Sequence, residues 1–182
     1  SVPLTASELE PLLSADLSIA AVNGAQLTVA AGPVASIEQL SRLLQEREVE
    51  ATRVRIKVAA HSAMLEPILA EFGAFLRTVK MAAPTLPFVS NLSGTWITAA
   101  EATNPDYWVR HLRQTVRFAE GMRTLLQDPA TVLLELGPGR TMASLARVHP
   151  DRKPAQAVFN SVRHPEERVS DQAFMLLALG KL

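Results

Sequence analysis

Arg53-Val54-Arg55-Ile56-Lys57-Val58-Ala59-Ala60-His61-Ser62-Ala63-Met64-Leu65-Glu66-Pro67 joins two differently organised parts of a 182-residue chain. Arg53, Arg55 and Lys57 alternate with Val54, Ile56 and Val58, the two-residue period of a strand with one wet and one buried face. The run turns small at Ala59-Ala60 and reaches His61 where strand is expected to become helix, a place where an imidazole can face a cleft on a rigid backbone. His61 is therefore a candidate base. The chain has no cysteine and no Gly-x-Ser-x-Gly, and no serine stands on a glycine-flanked strand-to-helix turn that would present its oxygen to a base. A base without a nucleophile reads as half of a site.

Working back from this stretch, residues 34–48 form an expected helix, with Ile37, Leu40, Leu43 and Leu44 at helical spacing behind Gly32-Pro33. Leu17 to Val22 and Leu27 to Ala31 read as strands, and Asn23-Gly24 between them reads as a tight hairpin turn. Ala6 to Leu13 reads as a short helix with Pro11 in its first turn, and Val2 to Leu4 as the remnant of an earlier strand. Residues 1–58 then follow the order β-α-β-β-α-β of a ferredoxin-like unit.

Working forward, Ile68, Leu69, Phe72, Phe75 and Leu76 mark a helix, and Phe88 to Asn91 a short strand. Asn104-Pro105-Asp106-Tyr107 reads as a turn leading into Trp108 to Leu112, and a longer helix is expected over Phe118 to Gln127. Val132 to Leu136 is a buried-strand candidate running into Gly137-Pro138-Gly139, a tight βα turn lacking the lysine and hydroxyl of a P-loop. Another helix, the strand Ala157 to Asn160 and an amphipathic helix from Asp171 to Leu182 follow. Strands alternating with helices predict α/β layers in this second part.

Composition narrows the function. Hydrophobic residues make up 48% and charged residues 20%, an ordinary globular balance. Lys and Arg total 18, as do Asp and Glu, and the cations are dispersed, so nucleic acid is not an expected partner. No apolar run approaches the roughly 20 residues of a membrane span. The absence of cysteine excludes thiol catalysis and thiolate metal sites and fits a cytoplasmic protein. The first residue is Ser1 rather than methionine, which fits a fragment.

Four segments together resemble the acyltransferase domain of type I modular polyketide synthases, kin to malonyl-CoA:acyl-carrier-protein transacylases. They are Ala20-Ala21-Val22-Asn23-Gly24, Val58-Ala59-Ala60-His61-Ser62, Tyr107-Trp108-Val109-Arg110-His111-Leu112-Arg113-Gln114-Thr115-Val116-Arg117-Phe118 and Leu134-Glu135-Leu136-Gly137-Pro138-Gly139. With Pro87-Phe88-Val89-Ser90-Asn91-Leu92-Ser93-Gly94-Thr95-Trp96 between them, the resemblance covers nearly the whole chain. It implies an α/β fold: a ferredoxin-like subdomain over residues 1–60 with its first strand truncated, the C-terminal part of an α/β-hydrolase-like subdomain over 61–165, and a closing helix over 166–182 leading to a linker.

The implied chemistry is a two-step acyl transfer. A serine takes a malonyl or α-substituted malonyl group from coenzyme A and passes it to the phosphopantetheine thiol of an acyl carrier protein. The resemblance makes His61 the base of this serine–histidine dyad, suited by an imidazole pKa of about 6.5, and the main-chain carbonyl of His111 the group that orients it. It places the serine, one oxyanion-hole amide and a carboxylate-binding arginine upstream of residue 1, so the chain alone is expected to be inactive. Implied partners are that N-terminal part, the carrier protein and flanking synthase domains; no bound cofactor or metal is implied. Asn23, Val58, Ala59 and Ala60 would line the acyl pocket. Malonyl-type enzymes resemble His-Ala-Phe-His and methylmalonyl-type enzymes Tyr-Ala-Ser-His, whereas this chain has Val58-Ala59-Ala60-His61, which leaves the extender open. Thr115 stands where the family usually has proline, a change expected to affect only local stiffness.

Plainer readings stand beside these. On spacing alone His61 is a histidine satisfied inside the fold, and Asn23 needs no role beyond turn geometry. His149 and His164 read as surface loop residues with no metal-ligand spacing to His61. Glu135 reads as a structural hydrogen-bonding group, and Trp96, Tyr107 and Trp108 as packing residues. A non-enzymatic α/β scaffold or interaction module is the competing class, and a hydrolase using Ser90 or Ser93 a third.

Overall fold

A computed structural model describes residues 1–54, 56 and 58–181. The chain forms two compact units, residues 1–121 and 122–182, and the expected division after residue 60 falls inside the first.

The first unit begins with α1 (Ala6–Leu9), whose capping box pairs the Thr5 hydroxyl with the Glu8 amide and the Glu8 carboxylate with the Thr5 amide. That exchange holds the Glu8 carboxyl below its ordinary range. An antiparallel hairpin follows, β1 (Ser18–Gly24) and β2 (Leu27–Ala31). The expected turn at Asn23-Gly24 lies two residues early. Both belong to β1, and Ala25-Gln26 make the turn, because register shifts between Ile19 and Ala21 and between Val22 and Gly24 place extra residues in β1. Helix α2 (Val34–Glu46) turns Ile37, Leu40 and Leu44 into a core with Val2, Leu9 and Leu17. Burying one such side chain contributes about 1.5–3 kcal/mol.

The opening stretch departs from its expected strand. Arg53 and Val54 carry no strand, and Ile56 and Val58 are more than 60% exposed; Arg55 and Lys57 lie outside the described residues. Alternation predicts which face a strand would bury, but a strand also needs a neighbour to accept its backbone bonds. Among the described residues such pairing ends at Thr52, which exchanges 2.8 Å bonds with Ser1 in both directions. Val2 makes only a single bridge, to Thr28.

Beyond residue 60 come α3 (Glu66–Leu76), α4 (Ala99–Ala102), α5 (Pro105–Arg113) and α6 (Phe118–Leu125). The expected strand at Phe88 reduces to a bridge between Val89 and Trp96. Helix α5 packs on α3, pinned by Arg113 Nε to Glu66 Oε1 at 2.5 Å. Its Tyr107 is 1% exposed and shares a 2.5 Å hydrogen bond with Ser90 Oγ.

The second unit contains β3 (Leu133–Glu135), α7 (Thr141–Arg147), β4 (Val158–Asn160) and α8 (Asp171–Leu179). β3 and β4 pair in parallel, Leu134 opposite Phe159, and α7 packs on both. Gly137 and Gly139 take φ of 150° and 106° in the turn before α7, which glycine alone adopts without strain. Glu135 accepts from the Met142 and Ala143 amides at 3.2 and 2.9 Å and from Asn160 Nδ2 at 2.9 Å, so a strand carboxylate caps α7. Among the described residues no helix is long and apolar enough to cross a membrane, and no three His, Cys, Asp or Glu side chains converge as metal ligands.

Candidate active site

His61 occupies a turn rather than the end of a strand. Its φ is 57°, the left-handed region that costs a non-glycine residue roughly 1–2 kcal/mol and concentrates at functional positions. Ser62 holds that turn. Its hydroxyl is fully buried, donates to Ala59 O at 2.7 Å and accepts the Met64 amide at 3.3 Å, capping the short 3-10 helix Ala63–Leu65 that enters α3. Ser18 Oγ of β1 accepts the next amide, Ala63 N–H, at 3.2 Å.

The partner of the His61 ring comes from the end of α5. That helix starts cleanly because Asn104 Oδ1 accepts the Asp106 amide at 2.9 Å, Pro105 follows the cap, and Arg110, His111 and Arg113 suit its C-terminal dipole. It ends at Gln114, with φ −89° and ψ 163°. The extended conformation turns the Gln114 carbonyl out of the helix, and His61 Nδ1 meets it at 3.0 Å. The orienting carbonyl is thus Gln114's and not that of His111, which lies inside the last helical turn. A carbonyl only accepts, so this bond requires the proton on Nδ1 and leaves the lone pair of the neutral ring on Nε2.

His111 contributes its ring instead. It lies edge-on to His61 with centroids 6.0 Å apart, stacks on Tyr107 at 6.3 Å and meets Trp108 at 5.7 Å. Burial, and secondarily the charge of His61, hold the His111 imidazole below its ordinary value of 6.5.

Of the expected pocket residues, Ala59 and Ala60 are half-buried beside His61, and Val58 is 64% exposed. Asn23 follows Val22, whose amide donates to Val116 O at 2.8 Å, two residues beyond Gln114. Ser90 and Ser93 are engaged elsewhere, with Tyr107 and Thr95. His149 is not a surface residue: it is 7% exposed, and its Nδ1 accepts the Asp151 amide at 3.2 Å. Ser62, Ser18 and the Gln114 carbonyl escaped sequence reasoning. Only the serine directly before a helix start carries a readable signal, that of an N-cap.

The family model described as "Acyl transferase domain" matches residues 1–158. A component of the phenolphthiocerol/phthiocerol polyketide synthase of Mycobacterium tuberculosis is 31% identical over the whole chain, which spans 12% of that protein. The polyketide synthase GfsB of Streptomyces halstedii is 38% identical over 79% of the chain and 3% of its own length. Among solved structures, the acyltransferase domain of SpnD, in complex with 2-(pent-4-yn-1-yl)malonyl, superposes with a TM-score of 0.93 at 38% identity, covering 99% of this chain and 44% of that one. The acyltransferase domain from the second module of the salinomycin polyketide synthase gives 0.88 at 31% identity, over 98% of this chain and 41% of that one. The chain spans less than half of either solved domain, and it belongs to the acyltransferase domain family of the type I polyketide synthases.

Proposed function

We propose that His61 is the general base and acid of an acyl transfer from a coenzyme A thioester, through a serine ester, to the phosphopantetheine thiol of an acyl carrier protein. The 3.0 Å bond from Nδ1–H to the Gln114 carbonyl carries this reading, because it leaves Nε2 of the neutral ring ready to accept a proton. In the first step Nε2 takes the proton of the serine hydroxyl as its oxygen attacks the thioester carbonyl. The imidazolium then protonates the departing thiolate of coenzyme A. In the second step the roles repeat, with the carrier thiol as nucleophile and the serine oxygen as leaving group. A neutral carbonyl in place of a carboxylate orients the ring without adding a buried charge.

The serine lies in the part of the domain outside these 182 residues, so the chain supplies one half of the dyad and is inactive by itself. Two features support this. The fully buried Ser62 hydroxyl is consumed by its own turn, and Ser90 and Ser93 bond other groups. The acyl group is malonyl or an α-substituted malonyl, a class that the small side chains of Ala59 and Ala60 before His61 suit. The 38% identical domain of SpnD, solved with a pentynyl-substituted malonyl, supports that class.

The test is transfer by the intact domain. His61→Ala should lower the rate of carrier acylation by about 10²–10⁴-fold, the usual contribution of a positioned acid–base group, while the isolated chain transfers nothing. A wild-type rate in His61→Ala would overturn the assignment.

A further inference from the structure

We infer that the Thr115 hydroxyl is a positioning group that holds the Gln114 carbonyl against His61. Thr115 Oγ1 donates to Ile19 O of β1 at 2.6 Å in a partly buried setting. The next residue continues the attachment: the Val116 amide donates to Ala20 O and its carbonyl accepts the Val22 amide, each at 2.8 Å, so Val116 lies parallel to Ala21. β1 makes this possible by its own irregularity. Its register passes from Ile19 to Ala21 without placing Ala20 opposite β2, and the carbonyls of Ile19 and Ala20 serve residues 115 and 116.

The same strand holds the other side of the contact, through Ser18 Oγ and the Ala63 amide at 3.2 Å. Both halves of the 3.0 Å bond between His61 and Gln114 therefore hang from residues 18–22. On the helix side the Gln114 amide donates to Arg110 O at 2.8 Å, and toward β1 the main-chain tethers begin at Val116. Rotation about ψ of Gln114 moves its carbonyl directly, and the tether adjoining that bond is the Thr115 side chain. A following proline would restrict Gln114 to the extended region it occupies, φ −89° and ψ 163°. Here a hydroxyl bond does that work, so Thr115 does more than alter stiffness.

The inference rests on the reading of His61 as the base, and two readouts in the intact domain separate their failures. With isotope-labelled histidine, the Nδ1–H proton of His61 should give a resolved resonance protected from exchange with water. Thr115→Val, which removes the hydroxyl and keeps the shape, should lose that resonance and lower kcat for carrier acylation about 10-fold, the scale of a sub-ångström misplacement. KM for the acyl-CoA should stay unchanged, and Thr115→Ser should restore both signals. Retention of the resonance and of kcat in Thr115→Val would overturn the inference, as would a serine variant as impaired as the valine one. If His61→Ala retained transfer, the base assignment would fall while the resonance still decided Thr115. Should Thr115→Val not fold, three-bond couplings in the unaltered domain decide: one fixed χ1 rotamer at Thr115 is expected, and rotamer averaging overturns the inference.

Discussion

His61 unites two costs at one position, a left-handed backbone and a side chain held by a single carbonyl. Neighbouring groups offset both: the buried Ser62 hydroxyl closes the turn, and the end of α5 presents Gln114. His111, packed on Tyr107 and Trp108, adds a titration. Besides His61, the ionisable side chain in ring contact with it is Tyr107, and Arg110 and Arg113 stand in the same last turn of the helix, Arg113 already paired with Glu66 of α3. Burial lowers the His111 pKa on folding, so between its folded value and the ordinary 6.5 the unfolded chain binds more protons. Neutral His111 is therefore fully tolerated above about pH 6.5, and stability falls as pH drops through that window to the lowered folded value. Urea midpoints measured against pH should show this acid-side loss, and His111→Asn should flatten it; an unchanged slope would mean that another group titrates there.

At the scale of elements, polar side chains decide where helices begin and how strands meet them. Glu135 is the clearest case, capping α7 from the end of β3. Glu135→Ala removes three acceptor contacts and leaves two helix amides without that cap, while Asn160 keeps its bonds to Gly139 O and Arg147, so it should cost about 1–2 kcal/mol; denaturant unfolding monitored through the second unit would read this, and a loss under about 0.3 kcal/mol (well below the roughly 1 kcal/mol typical of a cap) would count against the capping role. The structural part played by Glu135 was legible because a carboxylate in an expected buried strand must find donors, although Val132, Leu134 and Leu136 are 50%, 38% and 80% exposed and that strand is not buried here. Helices α2 and α3 were legible from apolar spacing and from Pro33 and Pro67 at their starts, whereas Asn104-Pro105-Asp106-Tyr107 reads as a turn and is the capped first turn of α5, because the residues that make an Asx-Pro turn also make an N-cap. The hairpin was legible to within two residues, since Asn23-Gly24 marks a turn by itself but a bulge can move it along the strand. In the alternating run from Arg53, the described residues Arg53, Val54, Ile56 and Val58 carry no strand, because period two reports face preference and not the presence of a pairing neighbour.

At the scale of the whole molecule, large apolar side chains stay outside the core. In the first unit Ile56, Phe75 and Leu86 are 69%, 62% and 78% exposed, and in the second Leu136, Val148 and Leu179 are 80%, 78% and 66% exposed. Such groups mark interaction surfaces where they gather into contiguous patches, and the chain spans 44% of the SpnD acyltransferase domain. The isolated chain should therefore bind a hydrophobic dye several-fold more strongly than the intact domain, and adding the remainder of the domain should suppress that fluorescence; equal dye binding by both would show that these side chains are not covered there. The sequence by itself determined the α/β class, the family and the candidate histidine, because periodicity, capping residues and ordered motifs are local properties. Only the tertiary structure decided that Gln114 rather than His111 meets the ring, that Ser62 and Ser18 hold the turn, and that Thr115 has a partner 96 residues away. Those contacts join segments far apart in the chain, and a main-chain carbonyl, which every residue possesses, leaves no trace in the letters of the sequence.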